Sequence, residues 1–215
     1  MFNFIHIPKN GGSSFEKICD NKIMTYRHHG FCPFENTIRN SIVVLREPED
    51  RICSSIRYMF QKANSRTLNL KLNRCGIFNE NDFLISWCRR DTSFEHIKEV
   101  LKMYVDTQRV GSKRFDSNWV FLPQTVWFNN PHTIFTNKSL NEEFSVFSCK
   151  FNIRKKLPTL NVTRKTGTKL SDEALNFIKE TYSEDYELWN YWSEKPLQER
   201  IEIDWSKHEN FSNWP

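Results

Sequence analysis

An apolar run near the start of this chain ends at a loop that contains a lysine, two glycines and two serines. The stretch reads Phe-Ile-His-Ile-Pro-Lys-Asn-Gly-Gly-Ser-Ser-Phe-Glu-Lys and covers residues 4–17. Phe2 to Ile7 is typical of a buried strand that ends at Pro8, and Ser13 to Cys19 is typical of the start of a helix. We therefore predict a strand, a tight glycine loop and a helix, an order that directs free backbone N–H groups to one point.

This loop has the components of a phosphate-binding site. Its glycines allow the backbone to approach an anion, its hydroxyl groups can donate hydrogen bonds, and its lysine adds positive charge. It is not a Walker A loop, G-x-x-x-x-G-K-[ST], because its lysine precedes the glycines. An ordinary strand-to-helix turn is the alternative interpretation of the glycines alone. The predicted phosphate-binding residues are Lys9, Asn10, Gly11, Gly12, Ser13 and Ser14.

A second strand, turn and helix follows further along the chain. Ile42 to Leu45 is an apolar, β-branched strand, and Pro48 suits the first turn of a helix. Arg46 leaves the carboxyl end of this strand, where ligands bind in open α/β sheets. Ser54 falls about two turns into the helix. Two anion sites at the ends of two strands suit a nucleotide with phosphates at both ends of its ribose.

The alternation of strands and helices predicts an α/β fold with a parallel sheet that helices cover on both faces. We expect a single domain over residues 1–215, because the chain is long enough for one substantial core and has no recognisable linker. Helices are predicted at 48–63, 81–90, 94–105, 140–151, 171–182 and 184–192, and further strands at 119–122, 125–128 and 133–136.

Composition argues against a disordered chain and against a membrane-spanning one. Hydrophobic residues make up 38% of the chain and aromatic residues 14%, but no apolar run approaches the roughly 20 residues of a transmembrane helix. We see no signal peptide and expect a cytoplasmic protein. The net charge is +5, and residues 150–171 contain seven basic residues and no acid. Such a block is typical of a solvated loop or of a binding site for a phosphorylated or sulfated ligand.

The two loop motifs together resemble those of sulfotransferases that use 3′-phosphoadenosine 5′-phosphosulfate (PAPS). The signature is Lys-x-Gly-Gly-Ser-Ser after a strand, followed later by Leu-Arg-x-Pro-x-x-Arg-x-x-Ser. The resemblance is nearest to the carbohydrate type, which includes heparan sulfate 2-O-sulfotransferase and its bacterial and viral relatives. It covers nearly the whole chain, since three later stretches are also similar: Leu-Pro-Gln at 122–124, Leu-Pro-Thr-Leu-Asn-Val-Thr-Arg-Lys at 157–165 and Asp-Tyr-Glu-Leu-Trp at 185–189.

The resemblance implies a sulfotransferase fold with a P-loop-like parallel sheet, and a role for each candidate residue. The glycine loop would hold the 5′-phosphosulfate of PAPS, with Lys9 beside the oxygen that bridges sulfur and phosphorus. Arg46 and Ser54 would hold the 3′-phosphate. Arg164 and Lys165, in the basic block, would close over the nucleotide. The implied reaction moves a sulfuryl group to an acceptor hydroxyl by in-line displacement and needs no metal.

The acceptor hydroxyl must lose a proton, and histidine suits this task because its usual pKa lies near neutrality. His28 and His29 lie where this branch of the family carries its catalytic histidine. Their order in Tyr-Arg-His-His-Gly-Phe leaves the choice open, with His29 slightly favoured. Glu16 is a rival base, because some sulfotransferases use a glutamate in the first helix. Its spacing from Ser13, however, is that of a capping box and favours a capping role.

Two other functions remain open from the sequence. A P-loop nucleotide-dependent phosphotransferase would bind Mg-ATP, although the missing Gly-Lys-[Ser/Thr] disfavours it. A non-enzymatic basic protein would bind polyanions with a strong dependence on salt. Our main expectation is an enzyme whose partner is a hydroxyl-bearing acceptor, a saccharide, with no nucleic acid partner and no stable membrane insertion.

Overall fold

The computed structural model describes residues 1–19, 21–26, 40–62, 70, 72–74, 76–89, 121–158 and 170–208. The helix predicted at 94–105 lies outside these residues. The chain divides into two compact units, and the expectation of one domain over residues 1–215 stays a prediction. The first unit comprises Met1–Glu47, Pro123–Val162 and Glu184–Pro215, and the second comprises Pro48–Leu122 and Thr163–Ser183.

The first unit is built on a sheet of parallel strands. Within the described residues the strand order is β2-β1-β3-β4, and each neighbouring pair is parallel. The predicted α/β class with a parallel sheet and flanking helices is therefore confirmed at the level of this sheet. The strands are β1 (Phe2–Ile5), β2 (Ile23–Tyr26), β3 (Ser41–Leu45) and β4 (Thr133–Thr136).

The strand sequences explain most of this sheet. Every residue of β3 and of β4 is buried, as expected for parallel strands that are covered on both faces. The sequence analysis did not predict β2. This strand has four residues, lies at the edge of the sheet that the described residues form, and exposes Met24 while it buries Ile23. Its apolar pattern is too short to identify it.

The strand order creates a topological switch between β1 and β3. From β1 the chain continues to β2, which lies on the side of β1 away from β3. From β3 it continues to β4, which lies on the opposite side. Such diverging connections leave a crevice at the carboxyl ends of the two central strands, where open α/β sheets bind their ligands. Lys9 follows the end of β1, and Arg46 directly follows β3.

The predicted helices within the described residues are confirmed, with shifts of one or two residues at most ends. The first helix is shorter than the predicted Ser13 to Cys19. The helices with defined bounds are α1 (Gly12–Glu16), α2 (Pro48–Lys62), α3 (Glu80–Arg89), α4 (Leu140–Lys150), α5 (Asp172–Thr181) and α6 (Ser183–Glu194).

Stacked phenyl rings join the sheet of the first unit to α1 and α4. Phe4 of β1 stacks on Phe15 of α1 with ring centroids 4.3 Å apart. Phe15 also meets the edge of Phe144 in α4, and Phe135 of β4 packs perpendicular to Phe147 at 5.3 Å. All five rings are buried, and each full burial of such a side chain stabilises the fold by about 1.5–3 kcal/mol. This core holds the loop between β1 and α1 against the sheet.

The strand predicted at 125–128 is wrong. Gln124–Trp127 forms a 3-10 turn instead. The backbone N–H groups of Gln124 and Thr125 donate to the two carboxylate oxygens of Asp185, at 2.9 and 3.1 Å. This carboxylate comes from α6, 60 residues further along the chain, and it holds the segment in a turn that its β-branched residues alone do not predict.

The second unit is helical in its described part. Helices α2, α3 and α5 pack against one another and bury Ile56, Phe83 and Ile178. The hydroxyl of Tyr182 donates to the carbonyl of Phe121 at 2.8 Å, and neither Phe121 nor Leu122 is in the strand predicted at 119–122. Within the described residues of either unit, no helix has both the length and the apolar character that a membrane span requires.

Candidate functional site

The chain leaves β1 through a tight turn that places a lysine in an unusual conformation. The N–H of Asn10 donates to the carbonyl of Ile7 at 3.3 Å, with Pro8 and Lys9 between them. Lys9 has a φ of 66°. Proline followed by a residue of positive φ is typical of a type II turn, in which glycine is favoured at the position of Lys9. A lysine in this conformation costs about 1–3 kcal/mol, and such strain clusters at functional sites.

Helix α1 begins at a glycine, one residue earlier than the sequence predicts. Gly11 is the residue before the helix, with a φ of 92°, and Gly12 is its first residue. The predicted capping box of Ser13 and Glu16 is therefore wrong, because Ser13 lies inside the helix. The carboxylate of Glu16 lies instead 2.8 Å from Nδ1 of the buried His6.

His6 also explains why glycine is required at position 12. A Cβ at Gly12 would overlap the His6 imidazole, and this ring is buried between the end of β1 and α1. The glycine thus allows the loop backbone to lie directly on the ring, while the Glu16 carboxylate holds the ring from the other end of the helix.

The Gly12→Ala variant is expected to lose about 1–3 kcal/mol of unfolding free energy, since the buried ring cannot yield without rearrangement. Urea denaturation measures this loss, and Ser13→Ala at the half-buried neighbouring position is the matched control. In a His6→Ala background the added cost of Gly12→Ala should disappear. An equal cost in both backgrounds would contradict the contact between ring and glycine.

The side chain of Arg46 contacts the backbone of Lys9 at the switch between β1 and β3. Nη1 of Arg46 donates to the backbone carbonyl of Lys9 at 2.8 Å, and both residues are half-buried. Burial, together with the charge of Arg46, lowers the pKa of Lys9 from 10.5 to about 8. The loop thus combines strain, partial burial of an ammonium group and a like-charged neighbour. A bound anion would relieve the last two of these costs.

The structure brings together only part of the predicted site. Ser14 is buried and Ser13 half-buried in the first turns of α1. Asn10 is buried, and its side-chain amide donates to the carbonyl of Val44 at 2.6 Å. Ser54 is buried in α2, within the second unit. The remaining candidates, His28, His29, Arg164 and Lys165, lie outside the described residues.

The basic residues at 154–156 lie away from this loop. All three are exposed, and Arg154 and Lys155 line a pocket with Lys22. Lys22 directly precedes β2, whose first residue pairs with Phe2 at the start of β1. The pocket is therefore at the amino ends of these parallel strands, whereas Lys9 and Arg46 are at the carboxyl ends.

Comparisons of the chain with protein-family models, with curated proteins and with solved structures found no match. The resemblance to sulfotransferases therefore rests on the sequence motifs. The motif stretches at 122–124 and 185–189 include Gln124 and Asp185, to which the sequence analysis assigned no role. The Gln124 side chain accepts the N–H of Arg46, and the Asp185 side chain accepts the N–H of Gln124. Only the folded chain reveals these contacts.

Proposed function

We propose that this protein is a sulfotransferase that moves the sulfuryl group of PAPS to an acceptor hydroxyl, in the first instance that of a saccharide. The observation that carries the proposal is the pairing of Lys9 with Arg46 at the carboxyl ends of β1 and β3. These are the two residues that the family resemblance assigns to the two phosphate-bearing ends of the nucleotide.

The electrostatics of this pair support an anionic ligand. Burial of the Lys9 amine and the charge of Arg46 both disfavour the protonated amine, and the lowered pKa of Lys9 expresses this cost. A nucleotide that carries negative groups at both the 3′ and 5′ positions would neutralise both charges. Arginine suits the two-pronged binding of a phosphate, and lysine suits a single oxygen on which charge develops.

The proposed chemistry is an in-line displacement at sulfur. The acceptor oxygen forms a bond to sulfur as the bond from sulfur to the bridging oxygen of PAPS breaks, and adenosine 3′,5′-bisphosphate leaves. Lys9 stabilises the negative charge that develops on that bridging oxygen, and the backbone of residues 11–14 holds the 5′-phosphate. The acceptor proton goes to a base, for which His29, His28 and Glu16 remain the candidates.

Thermal unfolding with adenosine 3′,5′-bisphosphate tests the donor site. At about 100 times its dissociation constant the bisphosphate should add about 2.7 kcal/mol to the unfolding free energy. AMP and Mg-ATP are the ligand controls. The shift should be absent in Arg46→Ala and retained in Arg154→Ala. The second variant removes the same charge from an exposed site at the amino ends of the strands.

Each result of this experiment has a defined meaning. A shift with the bisphosphate that depends on Arg46 supports the donor site, and transfer of labelled sulfate from PAPS to a mixed saccharide pool then tests the reaction. A shift with Mg-ATP alone would replace the proposal by a phosphotransferase. No shift with any nucleotide would contradict it.

A further inference from the structure

The Gln124 side chain forms two hydrogen bonds with the backbone of Arg46, the residue that follows β3. The N–H of Arg46 donates to Oε1 of Gln124 at 2.9 Å, and Nε2 of Gln124 donates to the carbonyl of Arg46 at 2.8 Å. One side-chain amide thus satisfies both polar groups of the Arg46 backbone, as a neighbouring strand would. Because both bonds go to the same residue, they hold its backbone torsions and the direction in which its side chain leaves the chain.

The same amide oxygen also accepts a hydrogen bond from the loop that follows β1. Nδ2 of Asn10 donates to Oε1 of Gln124 at 2.5 Å and to the carbonyl of Val44 at 2.6 Å. Asn10 directly follows Lys9 in the chain. Gln124 is therefore a common partner of the two segments that carry the basic pair, and it is fully buried.

The backbone of Gln124 is held in turn by Asp185. The carboxylate of Asp185 accepts the N–H of Gln124 at 2.9 Å and that of Thr125 at 3.1 Å. Asp185 is also fully buried, in the first turn of α6. A carboxylate that accepts two backbone N–H groups is a strong, oriented anchor.

We propose that Gln124 is the positioning residue of the anion site. Gln124 holds Arg46 against the loop of Lys9 and is itself oriented by Asn10 and Asp185. The proposal deepens the proposed function and rests on it for the identity of the ligand. It requires a continuous set of contacts from Asp185 to Gln124, from Gln124 to Arg46 and from Arg46 to the carbonyl of Lys9, and each of these contacts is present.

The pKa of the Lys9 amine in the unliganded protein is the first readout. A purely structural role of Gln124 would leave this pKa unchanged. The pKa can be followed by competitive acetylation and peptide mass spectrometry over a range of pH. Gln124→Met keeps the approximate size of the side chain and removes its hydrogen bonds. If Arg46 is then released from the Lys9 loop, the pKa of Lys9 should rise above about 8, whereas the larger part of the shift, which burial causes, should remain.

Binding of the bisphosphate is the second readout. Its affinity for Gln124→Met should fall by about 10- to 100-fold, the range that is typical when a group that orients a metal ligand is removed. Ser148→Ala is the control, because this buried hydroxyl donates only within α4, to the carbonyl of Ser145. It should change neither the Lys9 titration nor the affinity.

A double-variant cycle tests whether Gln124 acts through Arg46. In an Arg46→Met background, Gln124→Met should raise the pKa of Lys9 no further. If Gln124→Met does not fold, Gln124→Asn is used, because it keeps a neutral amide that is one methylene too short to bond both polar groups of the Arg46 backbone. A folded Gln124 variant in which Lys9 titrates as in the wild type would overturn the proposal.

The two proposals fail separately. If the wild type does not bind the bisphosphate, the donor assignment is wrong, but the Lys9 titration still decides whether Gln124 positions the basic pair. If the wild type binds the bisphosphate and the Gln124 variants bind it equally well with an unchanged Lys9 titration, the donor site stands and Gln124 has no positioning role.

Discussion

The Lys9→Met variant is expected to lose the proposed sulfuryl transfer and, at the same time, to become more stable without ligand. Activity should fall by about 100- to 1,000-fold, the usual effect of removing one group that stabilises a developing oxyanion. Methionine keeps a side chain of similar length at the position of positive φ. The change therefore removes the ammonium group and leaves the backbone strain as it is.

The gain in stability follows from the lowered pKa of Lys9. Burial, with the charge of Arg46, lowers this pKa from 10.5 to about 8, so the folded state binds the proton less tightly than the unfolded chain does. Below pH 8 both states are protonated, and the folded state bears the full penalty. Between pH 8 and 10.5 the folded state releases its proton first, and wild-type stability rises relative to that of the variant.

Urea denaturation at about pH 7 and about pH 10, on either side of the pKa of Lys9, measures this difference. The variant should be the more stable protein at the lower pH, and its advantage should shrink at the higher pH. Lys17→Met is the matched control, because Lys17 is exposed beside the end of α1. Full transfer activity of Lys9→Met would contradict the proposed mechanism, and lower stability at the lower pH would contradict the buried charge.

The Glu143→Ala variant is expected to lose about 3–5 kcal/mol of unfolding free energy, because it leaves a buried arginine without its carboxylate. Nη2 and Nη1 of Arg200 donate to the two oxygens of Glu143 at 2.7 and 3.0 Å, and both residues are about 5% exposed. The same carboxylate accepts the N–H and hydroxyl of Thr136 and the hydroxyl of Ser139. It thus joins the end of β4 to α4 and to the segment after α6.

The lowered pKa of this carboxylate predicts that the stability of the protein depends on pH in the acidic range. Burial alone would raise the pKa of Glu143, but the hydrogen bonds from Arg200, Ser139 and Thr136 outweigh it and lower the pKa below 4.5. Its contribution is therefore complete above that pH and is lost as the pH falls through the lowered value. The wild type should lose stability over this acidic range relative to Glu143→Ala.

The exposed neighbour provides the control for the ion pair. Glu142→Ala should leave the unfolding free energy within about 0.5 kcal/mol of the wild type. The double variant Glu143→Leu with Arg200→Met should regain much of the loss, since an apolar pair avoids the buried charge. A Glu143→Ala protein as stable as Glu142→Ala in urea would show that the pair does not hold β4 to α4.

Local sequence patterns were sufficient for the elements that carry the basic pair. The β-branched run at Ile42 to Leu45 predicted β3, and its end placed Arg46 directly after this strand, as the structure has it. The Gly-Gly loop predicted the entry into α1 to within one residue. These features are readable because burial of an apolar strand and the freedom of glycine act over a few neighbouring residues.

The errors occur where distant residues decide the local conformation. The segment at 125–128 has a strand-like composition, but Asp185 binds its first N–H groups and holds it in a 3-10 turn. The spacing of Ser13 and Glu16 fits a capping box, but His6 takes the carboxylate. In both cases a side chain from another segment forms hydrogen bonds that sequence spacing cannot reveal.

The sequence by itself determined the α/β class, the glycine loop after the first strand and the position of Arg46 after β3. Only the tertiary structure decided that the loops after β1 and β3 meet at a topological switch, that Lys9 takes a left-handed conformation beside Arg46, and that Gln124 and Asp185 hold this arrangement. The reason is physical. Strand order, burial of a charge and hydrogen bonds between residues about 60 positions apart depend on how elements pack, whereas composition and spacing describe each element alone.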